Sequence, residues 1–366
     1  MKKIRVGIVG ANAERGWAKV AHVPALRALP QFEITAVSTR NRASAEQAAA
    51  LFGAAHAFDR VEALVAHPEV DVVTVSVKTP DHAAVVRAAI EAGKHVFCEW
   101  PLGASTIEAE ELAGLAKARG VRTAIGLQRR YLPSILHVRE LIAEGYVGRL
   151  RSCNFSYPIP MMGTRTPIQN AYSTDAKNGA TLLSIMGGHF FDLVCFALGD
   201  LREVAAVVAR QFETTTLLET GEVIPVNTPH QVLVSGTFAS NAVLSAHLEA
   251  GRQQGPSHLT MHITGTEGSL ELRSDTHDPT DLLLFGARGD EPHLEKLTVP
   301  QAHVGEYGTD LQGSAYAMTQ LYAAFGRDIA DGTSLAPGFD DALRRHRLLD
   351  AIQTAASTGR TQPVPG

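Results

Sequence analysis

The sequence predicts an α/β chain of two domains: a doubly wound parallel sheet at the amino end, then a second α/β domain built on a mostly antiparallel sheet. Three observations predict it. Short apolar runs alternate with alanine-rich helical stretches over the first third of the chain. After about residue 149 that rhythm gives way to runs with partial period-two alternation and glycine-containing connections. The length, 366 residues, suits two cores of the usual size of roughly 100–200 residues each.

Ile4–Val9, Ile34–Ser38, Asp71–Val77, His95–Glu99 and Thr123–Leu127 read as strands buried on both faces, because their apolar residues run on rather than alternate. Ala43–Phe52, Ala83–Ala92 and Thr106–Ala118 read as the helices between them. Strand–helix–strand at this spacing builds a parallel sheet, and a mononucleotide or dinucleotide then belongs at the carboxyl ends of its strands. This domain is placed at 1–128 and the second at 129–366, with the carboxyl-terminal helix free to pack back on the first. In the second domain Arg149–Tyr157, Glu203–Arg210, Gln231–Phe238, Ala242–Leu248, His258–Thr264 and Ser269–Leu272 read as strands. The last two are joined across Gly265-Thr266-Glu267-Gly268, a hairpin signal. A loop from Pro158 to Gly179 leads into a buried helix, Ala180–Leu198, and the tail from Gly313 is helical again, broken at Pro337-Gly338.

Lys and Arg number 33 against 38 Asp and Glu, a formal charge of −5, which argues against a nucleic-acid binder held by excess positive charge. Cys98, Cys153 and Cys195 form no C-x-x-C pair, which excludes a disulfide scaffold and fits a reducing cytoplasm. No wholly apolar stretch reaches the roughly 18 residues that cross a bilayer, and Met1-Lys2-Lys3 runs straight into a strand rather than into a signal peptide. A cytoplasmic protein without a membrane partner is expected.

The first strand ends at Gly10, where a chain must turn sharply to enter a helix. The usual dinucleotide fingerprint places three glycines there so that the backbone can approach a pyrophosphate. Here Asn12 stands at the second glycine, and the third is displaced to Gly16, beside Trp17. The second strand runs into Thr39-Arg40 rather than the acidic residue that receives the ribose 2′-hydroxyl of NAD. A hydroxyl and a guanidinium suit a 2′-phosphate, so NADP is preferred over NAD.

Thr79-Pro80-Asp81-His82, Gly93-Lys94-His95-Val96-Phe97-Cys98-Glu99-Trp100-Pro101-Leu102, Gly126-Leu127-Gln128-Arg129-Arg130, Asn178-Gly179-Ala180, Gly188-His189-Phe190-Phe191-Asp192 and the Gly265–Leu270 segment follow the glycine turn in order. In that order, over essentially the whole chain, they resemble the Gfo/Idh/MocA family of pyridine-nucleotide oxidoreductases. The resemblance implies a Rossmann domain, a second domain with an open sheet, a sugar-like or polyol substrate and a homo-oligomer, dimer or tetramer, formed sheet to sheet. It places Lys78, Pro80, His82, Glu99, Trp100 and Gln128 about the cofactor. The family's Glu-Lys-Pro segment is Glu99-Trp100-Pro101 here, and the aspartate four residues before its histidine falls at Ile185. His189 is the one of the three catalytic positions retained. Lys78, Glu99-Trp100, Gly16-Trp17-Ala18-Lys19 and Leu127-Gln128 with Arg130 resemble the branch of the yeast galactose-pathway repressor, which binds the dinucleotide but works as a regulator.

Hydride transfer from an alcohol needs a group to take the hydroxyl proton, and histidine does this near neutral pH. His189 is the candidate, with Asp192 three residues on; Lys78, ending the third strand of this reading, is a cofactor contact or stands in for the catalytic lysine. Trp100 has an indole N–H but no ammonium and suits stacking on a cofactor or ligand ring. Arg129, Tyr157, Arg165, Lys177 and Asn178 offer donors for a hydroxyl-rich or anionic substrate. His258 and His262 lie four apart in a strand, and with 15 histidines scattered and no accompanying carboxylate pattern no metal site is expected. Two functions follow: an oxidoreductase with atypical catalytic residues, or an inactive NADP-binding sensor that acts through protein partners.

Overall fold

The computed structural model describes residues 3–252, 259–274 and 280–366. It divides into two compact units, one running to Tyr131 and taking in Gly305–Leu343, the other made of Leu132–Val304 with Arg344–Gly366.

The first unit is built on six strands: Ile4–Val9 (β1), Phe32–Ser38 (β2), His56–Phe58 (β3), Val72–Val75 (β4), His95–Cys98 (β5) and Thr123–Ile125 (β6). All pairs are parallel and the order is β3-β2-β1-β4-β5-β6, the doubly wound arrangement whose order reverses between β1 and β4. Val6, Ile8, Val72, Val73 and Val75 are fully buried, as continuous β-branched runs covered on both faces require. Arg5 pins β1 to the entry of β4, its Nε and Nη2 donating to Asp71 at 2.9 and 2.7 Å. Two helices carry explicit punctuation: Asn41 and Ser105 cap Arg42–Phe52 and Thr106–Arg119, which end at Gly53 and Gly120 in the left-handed region. β3, three half-buried residues without an apolar run, is not visible in the sequence, and the third predicted strand stops at Val75 because Ser76 turns against Gly10.

Helix Gly313–Asp331 belongs to this unit and supplies Met318, Leu321, Tyr322 and Phe325 to its core. Its end is closed by Asp328, whose carboxylate accepts from Thr333 Oγ1 and from the Leu335 and Ala336 amides at 2.7–2.8 Å.

The second unit carries a nine-stranded sheet. Its strands are Leu150–Ile159 (β7), Leu201–Ala209 (β9), Gln231–Phe238 (β12), Val243–Ala250 (β13), Thr260–Gly265 (β14), Gly268–Arg273 (β15), Leu283–Arg288 (β16), Glu295–Lys296 (β17) and Gln362–Pro363 (β18). The order is β17-β16-β15-β14-β7-β13-β12-β9-β18, antiparallel except where β7 meets β13. A small separate sheet joins Arg165–Thr166 (β8), Thr214–Leu217 (β10) and Val223–Pro225 (β11), so the segment expected to be loop contributes a strand. One face of the large sheet is covered: Phe155 and Tyr157 pack on Phe190 at ring-centroid distances of 5.3 and 4.5 Å. The other face bears alternate residues such as Leu233, Val207 and Val243, which are exposed.

The buried helix of the sequence reading is in two parts. Thr181 caps it in a reciprocal box with Ser184, Leu182–Gly187 is wound as a π-helix, and Gly188–Leu198 is α-helical. The run Ala176–Leu198, with a mean hydropathy of 1.6, is long and apolar enough to cross a membrane by length and composition, contrary to the sequence reading; 67% of its apolar window is buried, as in a core helix.

Helix Phe339–Thr358 carries His346, whose imidazole is pushed down to about 4 by burial. The unfolded chain takes up this proton near the ordinary value of about 6.5, the folded chain only near 4, so stability drops as pH falls through that window. Urea unfolding at pH 7 and pH 4 is expected to show a pH-dependent loss about 3 kcal/mol larger in the native protein than in His346→Gln. An identical loss in both would contradict it.

Candidate functional site

The carboxyl ends of β1, β2, β4 and β5 carry the chemistry of the first unit. Gly10 leaves β1 at φ +92°, and a Cβ there would lie 2.3 Å from the Ser76 carbonyl oxygen, so only glycine closes this turn against β4. The Gly10 amide donates to Ser38 O at 2.9 Å, and that of Ser76 to Val9 O at 2.9 Å, which fixes three strand ends to one another. Asn12 spends its side-chain oxygen on the amides of Glu14 and Arg15, at 2.8 and 3.1 Å, shaping the loop that substitutes for the missing second glycine. Gly16, at φ +97°, has open space where a side chain would be.

After β2, Thr39 is anchored: its amide donates to Phe58 O, and its hydroxyl meets Asn41 O and the Ser44 hydroxyl. Arg40 stands exposed between that anchor and the Asn41 cap. Lys78 is half-buried where the chain leaves β4 for the short turn Thr79–Asp81, in which Pro80 is exposed.

His82 is buried, with Nδ1 2.7 Å from Pro101 O and Nε2 3.1 Å from Val77 O. Burial lowers its pKa, so the neutral ring donates to one carbonyl, the closer Pro101 contact being the better placed.

Glu99 follows β5 and lies over Gly126, where a Cβ would come within 2.8 Å of its carboxylate. Its Oε1 faces His22 Nε2 at 3.0 Å, an ion-pair contact rather than an aligned hydrogen bond. Behind it, His22 Nδ1 meets Tyr322 OH at 2.9 Å, and Tyr322 OH meets Thr74 Oγ1 at 2.9 Å. His22, Thr74 and Tyr322 are fully buried, and burial pushes the Tyr322 phenol well above its ordinary range, so it stays protonated. His22 Nδ1 can accept from Tyr322 OH, whose oxygen then accepts from Thr74 Oγ1. Trp100 and Gln128 are buried beyond β5 and β6, and Arg129 is half-buried.

Among the described residues, Trp17 Nε1, Ser76 Oγ and Gln128 Oε1 are among the buried polar atoms of this unit without a hydrogen-bond partner. Together with the glycine cradle at the order reversal, they fit a bound dinucleotide. Trp17 and Gln128 were legible as motif residues. Ser76, His22 and Tyr322 were not; a histidine inside the apolar run Ala18–Ala25 was the only available signal for one of them.

In the second unit His189 is half-buried at the start of Gly188–Leu198, with Nδ1 buried. Asp192, buried three residues on, has Arg345 Nε 3.7 Å from its carboxylate. Tyr157 is buried in β7, its ring against Phe190. Arg165 is exposed on β8. Lys177 is mostly exposed and pairs with Asp175 at 2.8 Å, while Asn178 donates to Tyr172 O at 2.7 Å, so the two serve their own turn first. His262 is exposed beside Glu271 on the open face, and His258 lies outside the described residues. Two His–Glu clusters that the sequence reading did not single out are His56, His67 and Glu69, and His137, Glu140 and His303.

Comparison with known proteins agrees with this anatomy. The model of an oxidoreductase family with an NAD-binding Rossmann fold matches residues 4–127, and that of the Gal80p C-terminal domain matches residues 133–274. The chain is 30% identical to the dehydrogenase aclE of Aspergillus oryzae, with 98% of each chain covered. It is also 30% identical to the galactose/lactose metabolism regulatory protein GAL80 of Saccharomyces cerevisiae, with 99% of this chain and 94% of that one covered. Among solved structures, levoglucosan dehydrogenase in complex with NADH and L-sorbose superposes with a TM-score of 0.89 over 99% of both chains, at 23% identity, a likeness of fold. The chain belongs to the Gfo/Idh/MocA oxidoreductase family, an NAD-binding Rossmann unit joined to a Gal80-like C-terminal domain.

Proposed function

We propose that the protein is a cytoplasmic oxidoreductase that prefers NADP(H) to NAD(H) and acts on a sugar-like alcohol or carbonyl, with His189 as the proton-transfer group. The observation that carries it is the Gly10 turn, closed against Ser76 at the order reversal of a complete doubly wound sheet. The dehydrogenase of Aspergillus oryzae, similar over nearly its full length, supports turnover, and the sorbose-bound structural neighbour supports a sugar-like substrate.

A bound nicotinamide supplies or accepts the hydride. The residues of this chain do the rest. Gly10 and Gly16 leave the backbone open to a pyrophosphate, and Arg40, exposed beside the anchored Thr39, pairs with a 2′-phosphate. Lys78 adds positive charge at the end of β4, and Glu99 contacts the nicotinamide ribose, its carboxylate oriented by His22. In the oxidation direction the substrate O–H proton passes to a His189 ring nitrogen; in reduction it returns. Trp100 stacks on a ring of cofactor or ligand. Arg129 and Arg165 remain as donors to a hydroxyl-rich substrate.

A specific observation favours a second reading, an NADP-binding regulator acting through protein partners. Trp100, which is buried, and half-buried Ile185 stand where the family resemblance expects lysine and aspartate, and GAL80 is similar over nearly its whole length. Neither position retains an ionisable group.

Arg40→Ala is expected to weaken NADPH at least tenfold in fluorescence titration while leaving NADH unchanged; equal weakening of both would contradict the 2′-phosphate role. With a pool of keto-sugars and aldoses, NADPH oxidation is expected to fall at least about a hundredfold in His189→Ala, at unchanged NADPH affinity. Tight NADPH binding without oxidation in the native protein favours the regulator.

The open sheet face also bears on assembly. Leu233 and Val207 are cross-strand partners, and with Val243 they are 42%, 59% and 53% exposed, an apolar patch suited to a second copy of the chain. Light scattering is expected to show a dimer or tetramer that Leu233→Arg shifts to monomer at unchanged fold. A monomeric native protein would contradict the sheet-to-sheet assembly.

A further inference from the structure

Three side chains of the second unit converge outside everything described so far. His137 and Glu140 lie one turn apart on helix Pro133–Ala143, and His303 ends the short turn Gln301–His303. Glu140 Oε2 is 3.2 Å from His137 Nδ1 and 2.7 Å from His303 Nε2, and all three ligand atoms lie within 4.8 Å of one another. Ligand atoms on a tetrahedron around Zn²⁺, with bonds of about 2.0–2.1 Å, are separated by about 3.3 Å. The cluster therefore needs displacements of an ångström or so, within the reach of side-chain rotation alone.

Two imidazoles and one carboxylate form a donor set suited to borderline cations. The imidazoles are 14% and 11% exposed for His303 and His137, whereas Glu140 is 44% exposed, so water reaches the cluster from the carboxylate side and supplies a fourth ligand. The other cluster is less suited: His67 Nδ1 already accepts the Glu69 amide, and Glu69 is itself more exposed.

We propose that His137, Glu140 and His303 form a site for a divalent transition cation of the zinc class, which clasps the turn at 301–303 to helix 133–143. These segments lie at the two ends of the continuous stretch Leu132–Val304, so the cation closes that stretch on itself.

The test uses untagged protein stripped with EDTA and titrated with Co²⁺, read by visible d–d absorption, then with Zn²⁺ in competition. One equivalent per chain is expected, displaced by Zn²⁺, with Tm rising by several degrees at saturating Zn²⁺. His303→Ala and Glu140→Gln, each checked for native circular dichroism, are expected to weaken Co²⁺ by at least about a hundredfold, while His67→Ala leaves it unchanged. No saturable binding, binding that survives both variants, or binding lost in His67→Ala would overturn the proposal.

Discussion

The first unit depends on a buried polar chain that spans almost its whole sequence. His22 follows the glycine turn, Thr74 lies on β4, and Tyr322 arrives from a helix some 250 residues later; their polar atoms meet at 2.9 Å with no access to water. Phe97 stacks on Tyr322 at 4.5 Å and meets His22 edge-on at 5.3 Å, which packs β5 against the same three groups. Removing one member strands the others, at about 1–3 kcal/mol for each buried group left unpaired. This constraint explains why helix Gly313–Asp331 belongs with the nucleotide-binding sheet. The chain ends facing Glu99 at the mouth of β5, with His22 Nε2 3.0 Å from its carboxylate.

Local signals were legible in the sequence; long-range ones were not. Continuous apolar runs predicted β1, β2, β4, β5 and β6, because strands buried on both faces leave no room for polar alternation. The Gly265–Gly268 connection announced its hairpin through turn chemistry, and Pro337-Gly338 the break between the last helices. β3 was missed because three half-buried residues have no period to detect. The burial of Tyr157 was not legible because a tyrosine in a strand looks the same whether its face is covered or open; Phe190, from a helix packed on the sheet, decides it. The partners of His82 were not legible because the Pro101 and Val77 carbonyls are placed by the fold of the β5 exit. The His137–Glu140–His303 cluster combines a helical i, i+3 pair with a residue 163 positions further on, which no local spacing reveals.

The fold alone does not separate an enzyme from a regulator, since both kinds of protein share it at 30% identity to this chain. The difference lies in whether a proton can move when a hydride does. With tryptophan and isoleucine at two of the positions that the family resemblance marks as catalytic, the account rests that duty on His189. A single acid–base group suffices for carbonyl reduction if the nicotinamide is held in place, and the Gly10 turn fits the dinucleotide that carries it.

The most direct test is label transfer. The protein would be loaded with NADPH carrying deuterium at the nicotinamide C4, each face in turn, and offered a pool of keto-sugars and aldoses whose products are read by mass spectrometry. The account predicts deuterium in a sugar alcohol from one face only. Deuterium that remains on a tightly bound cofactor, with every carbonyl recovered unlabelled, would contradict it.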